Sequence, residues 1–358
     1  MAMDQVDQLM RQAVARAVFP GAVLLVAFRS EVVFRAAYGQ ANLFTGEKMT
    51  ERTIFDLASL TKPLATTLAV MNLVQSGRLS LNQTLGTLLS GFETSAKSQI
   101  RIEALLRHTA GYPAYRPYFR ILMHLPAPKR LEQLHEFLRN EPPAGREDGQ
   151  ALYSDLGFMV LGAVIEAVTG QSLDRFVTET IYRPLGLASL RFMKPAQEPP
   201  RGRFAATELC PWRHALLMGV VHDENAYAMD GVQGHAGLFG CADDILALLL
   251  ALGQAYAGRS DHPLFATELV RRFLTRPPGV DRALGFDAPS RIGSSAGRLF
   301  SPNSVGHLGF TGTSFWMDLT QQVIVILLTN RVHPHRFSTS IRSFRPRLHD
   351  AIMTALGF

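Results

Sequence analysis

A chain of 358 residues with 47% hydrophobic side chains can bury a sizeable core, as one large domain or two closely associated ones. Its net charge of +6 is spread thinly, mostly on arginine and without a long basic run, which argues against a nucleic-acid partner. Cys210 and Cys241 are too few for a disulfide framework or a four-thiolate zinc site, no apolar run is long enough to cross a bilayer, and Met1 to Arg16 lacks the marks of a secretory signal, so the chain as given reads as non-exported with its compartment open.

Val6, Leu9, Met10 and Ala13 stand at helical spacing within residues 4–16, and Phe19-Pro20-Gly21 ends that helix. Gly21 to Phe28 and Val32 to Tyr38, rich in Val and Phe around Arg29-Ser30-Glu31, read as an antiparallel hairpin. Apolar helical periods follow at Leu64 to Val74, Leu156 to Val168 and Ile245 to Leu252, separated by Gly- and Pro-rich loops. Thr313 to Asp318 and Val323 to Thr329 again read as paired strands, with a last helix expected from about Pro346. The expected architecture is of the α+β type: an antiparallel sheet flanked by helices, built from 1–58 and 280–358, carrying a large, mostly helical insertion over 59–279.

Within that frame, Ser59-Leu60-Thr61-Lys62-Pro63 opens the helix that stops at Gly77. Pro63 fits its first turn, where an NH has no intrahelical acceptor. Residues three apart share a helix face, so the Lys62 amine can meet the Ser59 hydroxyl. Burial among apolar neighbours is expected to lower the lysine pKa, and the helix N-terminus to favour negative charge on Ser59. Taken alone the pattern also suits a serine cap and an exposed lysine. However, Lys62 is the only one of five lysines that lies three residues after a serine.

Tyr153-Ser154-Asp155 leads into the next helix, with Ser154 as N-cap and Asp155 in the first turn. The plain explanation of Tyr153 is a hydrophobic staple on Phe158. Further on, Val305-Gly306-His307-Leu308-Gly309-Phe310-Thr311-Gly312-Thr313 brings a glycine-rich loop to a strand, where the backbone can approach a ligand and offer an NH to an oxyanion.

In order and approximate separation these elements resemble the signature of serine beta-lactamases, DD-peptidases and related esterases. Ser59-Leu60-Thr61-Lys62 matches Ser-x-x-Lys, Tyr153-Ser154-Asp155 resembles the Tyr-x-Asn element of the class C branch, and His307-Leu308-Gly309 takes the Lys-Thr-Gly place. Leu105 to Gly111, Val221 to Asn225 and Gly234 to Phe239 also look like stretches of the esterase and peptidase relatives. The resemblance implies a beta-lactamase/transpeptidase-like fold without a cofactor. It implies Ser59 as nucleophile, deprotonation shared by Lys62 and Tyr153, and an oxyanion hole from the NH groups of Ser59 and Phe310. Asp155, His307, Leu308, Gly309 and Tyr112 would contact a small ester, amide or beta-lactam.

Three departures bear on substrate and mechanism. Asp155 replaces an amide, adding a carboxylate that can raise the Lys62 pKa and shift the burden of deprotonation to Tyr153. His307 and Leu308 replace a lysine and a hydroxyl that hold a substrate carboxylate. No lysine follows Lys194, so only an arginine such as Arg331 or Arg336, or a protonated histidine, can restore that cation. An uncharged ester therefore ranks ahead of a peptide C-terminus or a penicillin. Two other classes compete: a metallohydrolase using His222, Asp223, Glu224 and His235, whose spacing fits no familiar ligand motif, and a non-catalytic binding protein on the same scaffold.

Overall fold

A computed structural model describes residues 3–144, 151–194, 204–259, 262–277, 280, 282–290 and 292–358. Gln150 and the expected boundary residue 279 lie outside them. The architecture is α+β. A six-stranded antiparallel sheet takes its strands in the spatial order Glu47–Lys48, Glu31–Asn42, Gly21–Phe28, Val323–Thr329, Ser314–Asp318 and Ser304–Leu308. The two ends of the chain meet at its centre, where Ala22 pairs with Thr329 and Phe28 with Val323. The first hairpin turns through Arg29 and Ser30, with φ of 52° and 72°, the mirror-image turn whose twist matches the flanking strands.

Successive strand side chains point to opposite faces, and both faces are covered. Ala22, Leu24 and Val26 join Val325 and Leu327 against the N-terminal helix Asp4–Ala15 and the C-terminal helix Ile341–Ala355. Val23, Leu25 and Ala27 join Ile326 and Leu328 in a larger core shared with the helices at Leu68–Gln75, Asp155–Thr169 and Ala242–Tyr256. Double coverage is why Gly21 to Phe28 reads as a near-continuous apolar run.

The sequence expectation needs two corrections here. The C-terminal helix starts at Ile341, so Pro346 sits inside it. Burial of Ile341 and Phe344 against the sheet outweighs the one intrahelical bond that the proline removes. The region 59–279 also holds more sheet than expected. Leu238–Gly240 pairs with Phe55–Asp56 on one side and Arg191–Phe192 on the other, and Ala206–Cys210 forms a hairpin with Ala215–Met218. No single helix among the described residues is long and apolar enough to cross a membrane.

Candidate active site

Ser59 sits in a tight turn, Ala58–Leu60, at the end of the short strand Phe55–Asp56. Ala58 has a φ of 48°, a left-handed conformation that a residue with a Cβ adopts only when its surroundings hold it. The holding contacts are visible. The Asp56 carboxylate accepts the Ala58 NH at 2.8 Å and the His222 NH at 2.6 Å, and Thr61 Oγ1 donates to the Ala58 carbonyl at 2.6 Å. From the turn between the strands Ser304–Leu308 and Ser314–Asp318, the Thr311 and Thr313 hydroxyls donate to the carbonyls of Asp56 and Leu57 at 2.8 and 3.0 Å. Gly309 lies so close that an added Cβ would stand 2.7 Å from the Leu57 carbonyl, which explains a glycine there. These bonds fasten the Phe310 loop to the turn carrying Ser59.

After the turn the backbone widens into a π-helical stretch, Lys62–Thr67, before settling into the α-helix at Leu68. The expected meeting across one turn is present: Lys62 Nζ lies 3.0 Å from Ser59 Oγ. The ammonium is fully buried and has two further acceptors, Asp155 Oδ1 at 2.7 Å and the His235 carbonyl at 3.1 Å. Burial pulls the Lys62 pKa down, but the Asp155 carboxylate and the Tyr153 phenol pull it up more strongly, and the net direction is upward. Of the two opposed expectations, lowering by apolar surroundings and raising by the carboxylate that replaces an amide, the second prevails and keeps Lys62 charged.

Tyr153 arrives on the loop before the Asp155–Thr169 helix. Ser154 caps that helix as expected, its hydroxyl accepting the Gly157 NH at 3.2 Å. His108 positions the loop, with Nδ1 accepting the Ser154 NH at 3.0 Å and its ring packed at a tilt against Tyr153 at 4.7 Å and Phe158 at 5.1 Å. Lys62 Nζ stands 4.9 Å from the Tyr153 ring centre, and Lys62 and Ser59 both lie within hydrogen-bonding influence of the phenol. Burial raises the Tyr153 pKa, Lys62 opposes that rise and Asp155 adds to it.

His307 is buried on the edge strand, with Nδ1 3.0 Å from the Leu308 carbonyl. Burial, with Lys62 and Arg282 nearby, holds its pKa well below the ordinary value. The ring is neutral, so Nδ1 donates and Nε2 keeps a lone pair; Nε2 has no partner among the described residues. The third element therefore supplies no cation.

Ser59, Tyr153, Asp155, His307, Leu308, Gly309 and Phe310 line one cleft of about 610 Å³. Tyr112 does not join them: it is buried in the helical core with its hydroxyl donating to the Leu138 carbonyl at 3.1 Å. Tyr115 lines the cleft instead, because the Pro113 and Ala114 carbonyls are bonded to Ser154 and Asp155. Sequence reasoning also passed over Asp287 and Arg342 at the cleft wall. The two arginines named as substitute cations do line the cleft, but their donors are already engaged by neighbouring protein groups. Arg331 donates to the carbonyls of Phe310 and Ser338, and Arg336 is paired with Glu208 and Glu224. Of the four considered metal ligands only His235 and Asp223 pair with each other; His222 is bonded to Glu208 and Glu224 to Arg336, and no group of three or more candidate ligands occurs among the described residues.

A serine and a lysine one turn apart, beneath a tyrosine and a glycine-rich strand edge, are the parts of a serine hydrolase site. The chain matches the Beta-lactamase family over residues 6–345 and belongs to it. It is 33% identical over 361 residues to the putative D-alanyl-D-alanine carboxypeptidase of Escherichia coli O157:H7, covering 92% of this chain and 82% of that protein. It is 34% identical over 363 residues to the N-acetylmuramyl-L-alanine amidase of Bacillus subtilis strain 168, covering 92% and 81%. Among solved structures, EstCE1, a hydrolase with promiscuous acyltransferase activity, shares the fold with a TM-score of 0.76 at 23% identity over 98% of both chains. The protein is a serine hydrolase of the beta-lactamase/transpeptidase-like fold.

Proposed function

We propose that Ser59 is the nucleophile of an acyl-enzyme mechanism on a small carboxylic ester or amide, with esters preferred. The observation that carries this reading is the 3.0 Å contact between Lys62 Nζ and Ser59 Oγ at the floor of the cleft. Lys62 and Tyr153 each act on the other's ionisation, and the pair, short of one proton, takes the proton of Ser59 as Oγ attacks the carbonyl carbon. The NH groups of Ser59 and Phe310 receive the oxyanion. Collapse expels the alcohol or amine, which regains a proton from the pair. Water then attacks the acyl-enzyme by the same route, giving the acid and restoring Ser59. The site lies where the sheet unit, 1–58 with 280–358, meets the mostly helical region 59–279.

The neutral His307 and apolar Leu308 support an uncharged substrate. A second reading, carboxypeptidase or beta-lactamase, draws support from Arg342, an exposed guanidinium at the cleft, and from the name of the Escherichia coli relative. The test is a panel of short-chain nitrophenyl esters, nitrocefin and a D-alanyl-D-alanine peptide, with intact-mass detection of the acyl adduct. Esters are expected to turn over fastest and to leave their acyl group on Ser59, and Ser59→Ala to abolish both adduct and turnover. Efficient nitrocefin cleavage with no ester turnover reverses the ranking, and failure of a fluorophosphonate to label the wild type removes the enzymatic reading of the site.

A further inference from the structure

Two stretches distant in sequence from the nucleophile, 221–225 and 234–239, close around the back of Lys62. Gly234 is pressed onto the Asp155–Thr169 helix so tightly that a Cβ would come within 2.0 Å of the Phe158 carbonyl oxygen. Thr66 Oγ1 donates to the Gly234 carbonyl at 2.6 Å. The next carbonyl, that of His235, faces Lys62. An ammonium has three hydrogens, and here Ser59 Oγ, Asp155 Oδ1 and the His235 carbonyl all accept from it, with the Tyr153 phenol beside them. With all three engaged the group cannot rotate freely, and the direction of its contact with Ser59 is set.

The His235 carbonyl is itself held from the side-chain end. The imidazole is 1% exposed, and its Nε2 lies 2.9 Å from Asp223 Oδ1. Asp223 is anchored in turn, because the same oxygen caps the helix Glu224–Ala228 by accepting the Ala226 NH at 2.7 Å. Burial alone would push the Asp223 carboxyl up, but His235 and the capping NH hold it well below the usual carboxylate range, so it is charged.

We propose that Asp223 and His235 are positioning residues for Lys62: the Asp223 carboxylate holds the imidazole, the imidazole fixes the backbone of His235, and that carbonyl aims the ammonium at Ser59. This rests on the Ser59 and Lys62 reading above and extends it to a motif that the three family elements do not include. Asp223 also reaches the cleft wall, where direct contact with substrate would be its competing use. The two uses differ kinetically. A misaimed lysine slows the chemistry, whereas a lost substrate contact weakens binding.

The test compares Asp223→Ala, His235→Ala and His235→Gln with wild type, reading nitrophenyl acetate hydrolysis and the rate of Ser59 labelling by a fluorophosphonate. The glutamine amide can donate to Asp223 from a position equivalent to Nε2. Both alanine variants are expected to lose about 10²-fold in kcat and labelling rate, the order of loss that misplacement of a reacting group produces. Their KM should stay within about threefold, with His235→Gln recovering most of the rate. A raised KM at unchanged kcat makes Asp223 a substrate contact and overturns the proposal. So does a His235→Gln variant as slow as His235→Ala. If the alanine variants fail to fold, Asp223→Asn and His235→Gln carry the test. Both keep the contact and are expected within about threefold of wild-type kcat, and a loss of tenfold or more in either overturns it. Wild type that resists labelling defeats the hydrolase reading itself, a separate result.

Discussion

The paired strands 21–28 and 323–329 and the cleft around Ser59 are built by opposite rules. In the strands the apolar side chains alternate into two cores, and each strand has a ladder neighbour on both sides. In the cleft an ammonium and a carboxylate share a largely dry site, a residue with a Cβ holds a positive φ, and a buried imidazole nitrogen goes without a partner. The first region agrees with local preference at every level and specifies the fold. The second departs from it repeatedly and is held in place by the first, the pattern expected where strain and desolvated charge serve chemistry.

That separation can be tested by pairing one substitution from each region. Tyr153→Phe keeps the ring against His108 and removes only the hydroxyl. Its expected cost is about 10²- to 10⁴-fold in kcat/KM, the usual share of a positioned acid–base group, with the melting temperature unchanged or raised. Leu25→Ala opens a cavity in the fully buried face shared with the helical core. It is expected to lose about 2–5 kcal/mol of stability with kcat per folded molecule unaltered. Urea unfolding and steady-state kinetics on both variants decide the matter. A Tyr153→Phe enzyme of normal rate, or a Leu25→Ala protein whose folded fraction is slow, breaks the division.

The same division explains what could be read from the sequence. The central strands are legible because period and composition are local properties, and Ser59 and Lys62 because one helical turn joins them. The short pairings at 55–56, 191–192 and 238–240 carry no period and were invisible. Tyr112 and Tyr115 stand in one loop, and only the bonds from Ser154 and Asp155 decide which faces the cleft. The protonation of Lys62 was legible only as two opposed tendencies, the local apolar sequence and the Asp155 carboxylate, for a similar reason. It depends on a carboxylate 93 positions away, and the local apolar sequence around the lysine points in the wrong direction.

Asp155→Asn sharpens that last point. The negative charge of Asp155 raises the pKa of both Lys62 and Tyr153, so it raises the pH at which the pair gives up the proton that Ser59 must replace. The other charged or titratable neighbours, Asp223, His235, His108, His307 and Arg282, stay in place. Removing only the Asp155 charge should move the rising limb of the kcat/KM profile toward lower pH by about one unit or more. A limb that stays put, or moves toward higher pH, means that Asp155 does not set the ionisation of the pair.

The smallest effect expected lies at the outer wall of the cleft and concerns stability. Burial pushes the Glu208 carboxyl up, but hydrogen bonds from His222 and Arg336 outweigh it and bring the pKa from 4.5 to about 2. The folded state therefore prefers the ionised form more than the unfolded chain does. Its contribution is fully present above pH 4.5 and is lost as pH falls toward about 2, because in that window the unfolded chain binds the proton more readily. Glu208→Gln is expected to be less stable at neutral pH, since His222 loses its anion and Arg336 keeps only Glu224, but to show a flatter loss of stability across the acid window. Urea midpoints taken at intervals between pH 2 and 6 measure both slopes, and equal slopes would mean that the ion pair at the cleft wall contributes to neither.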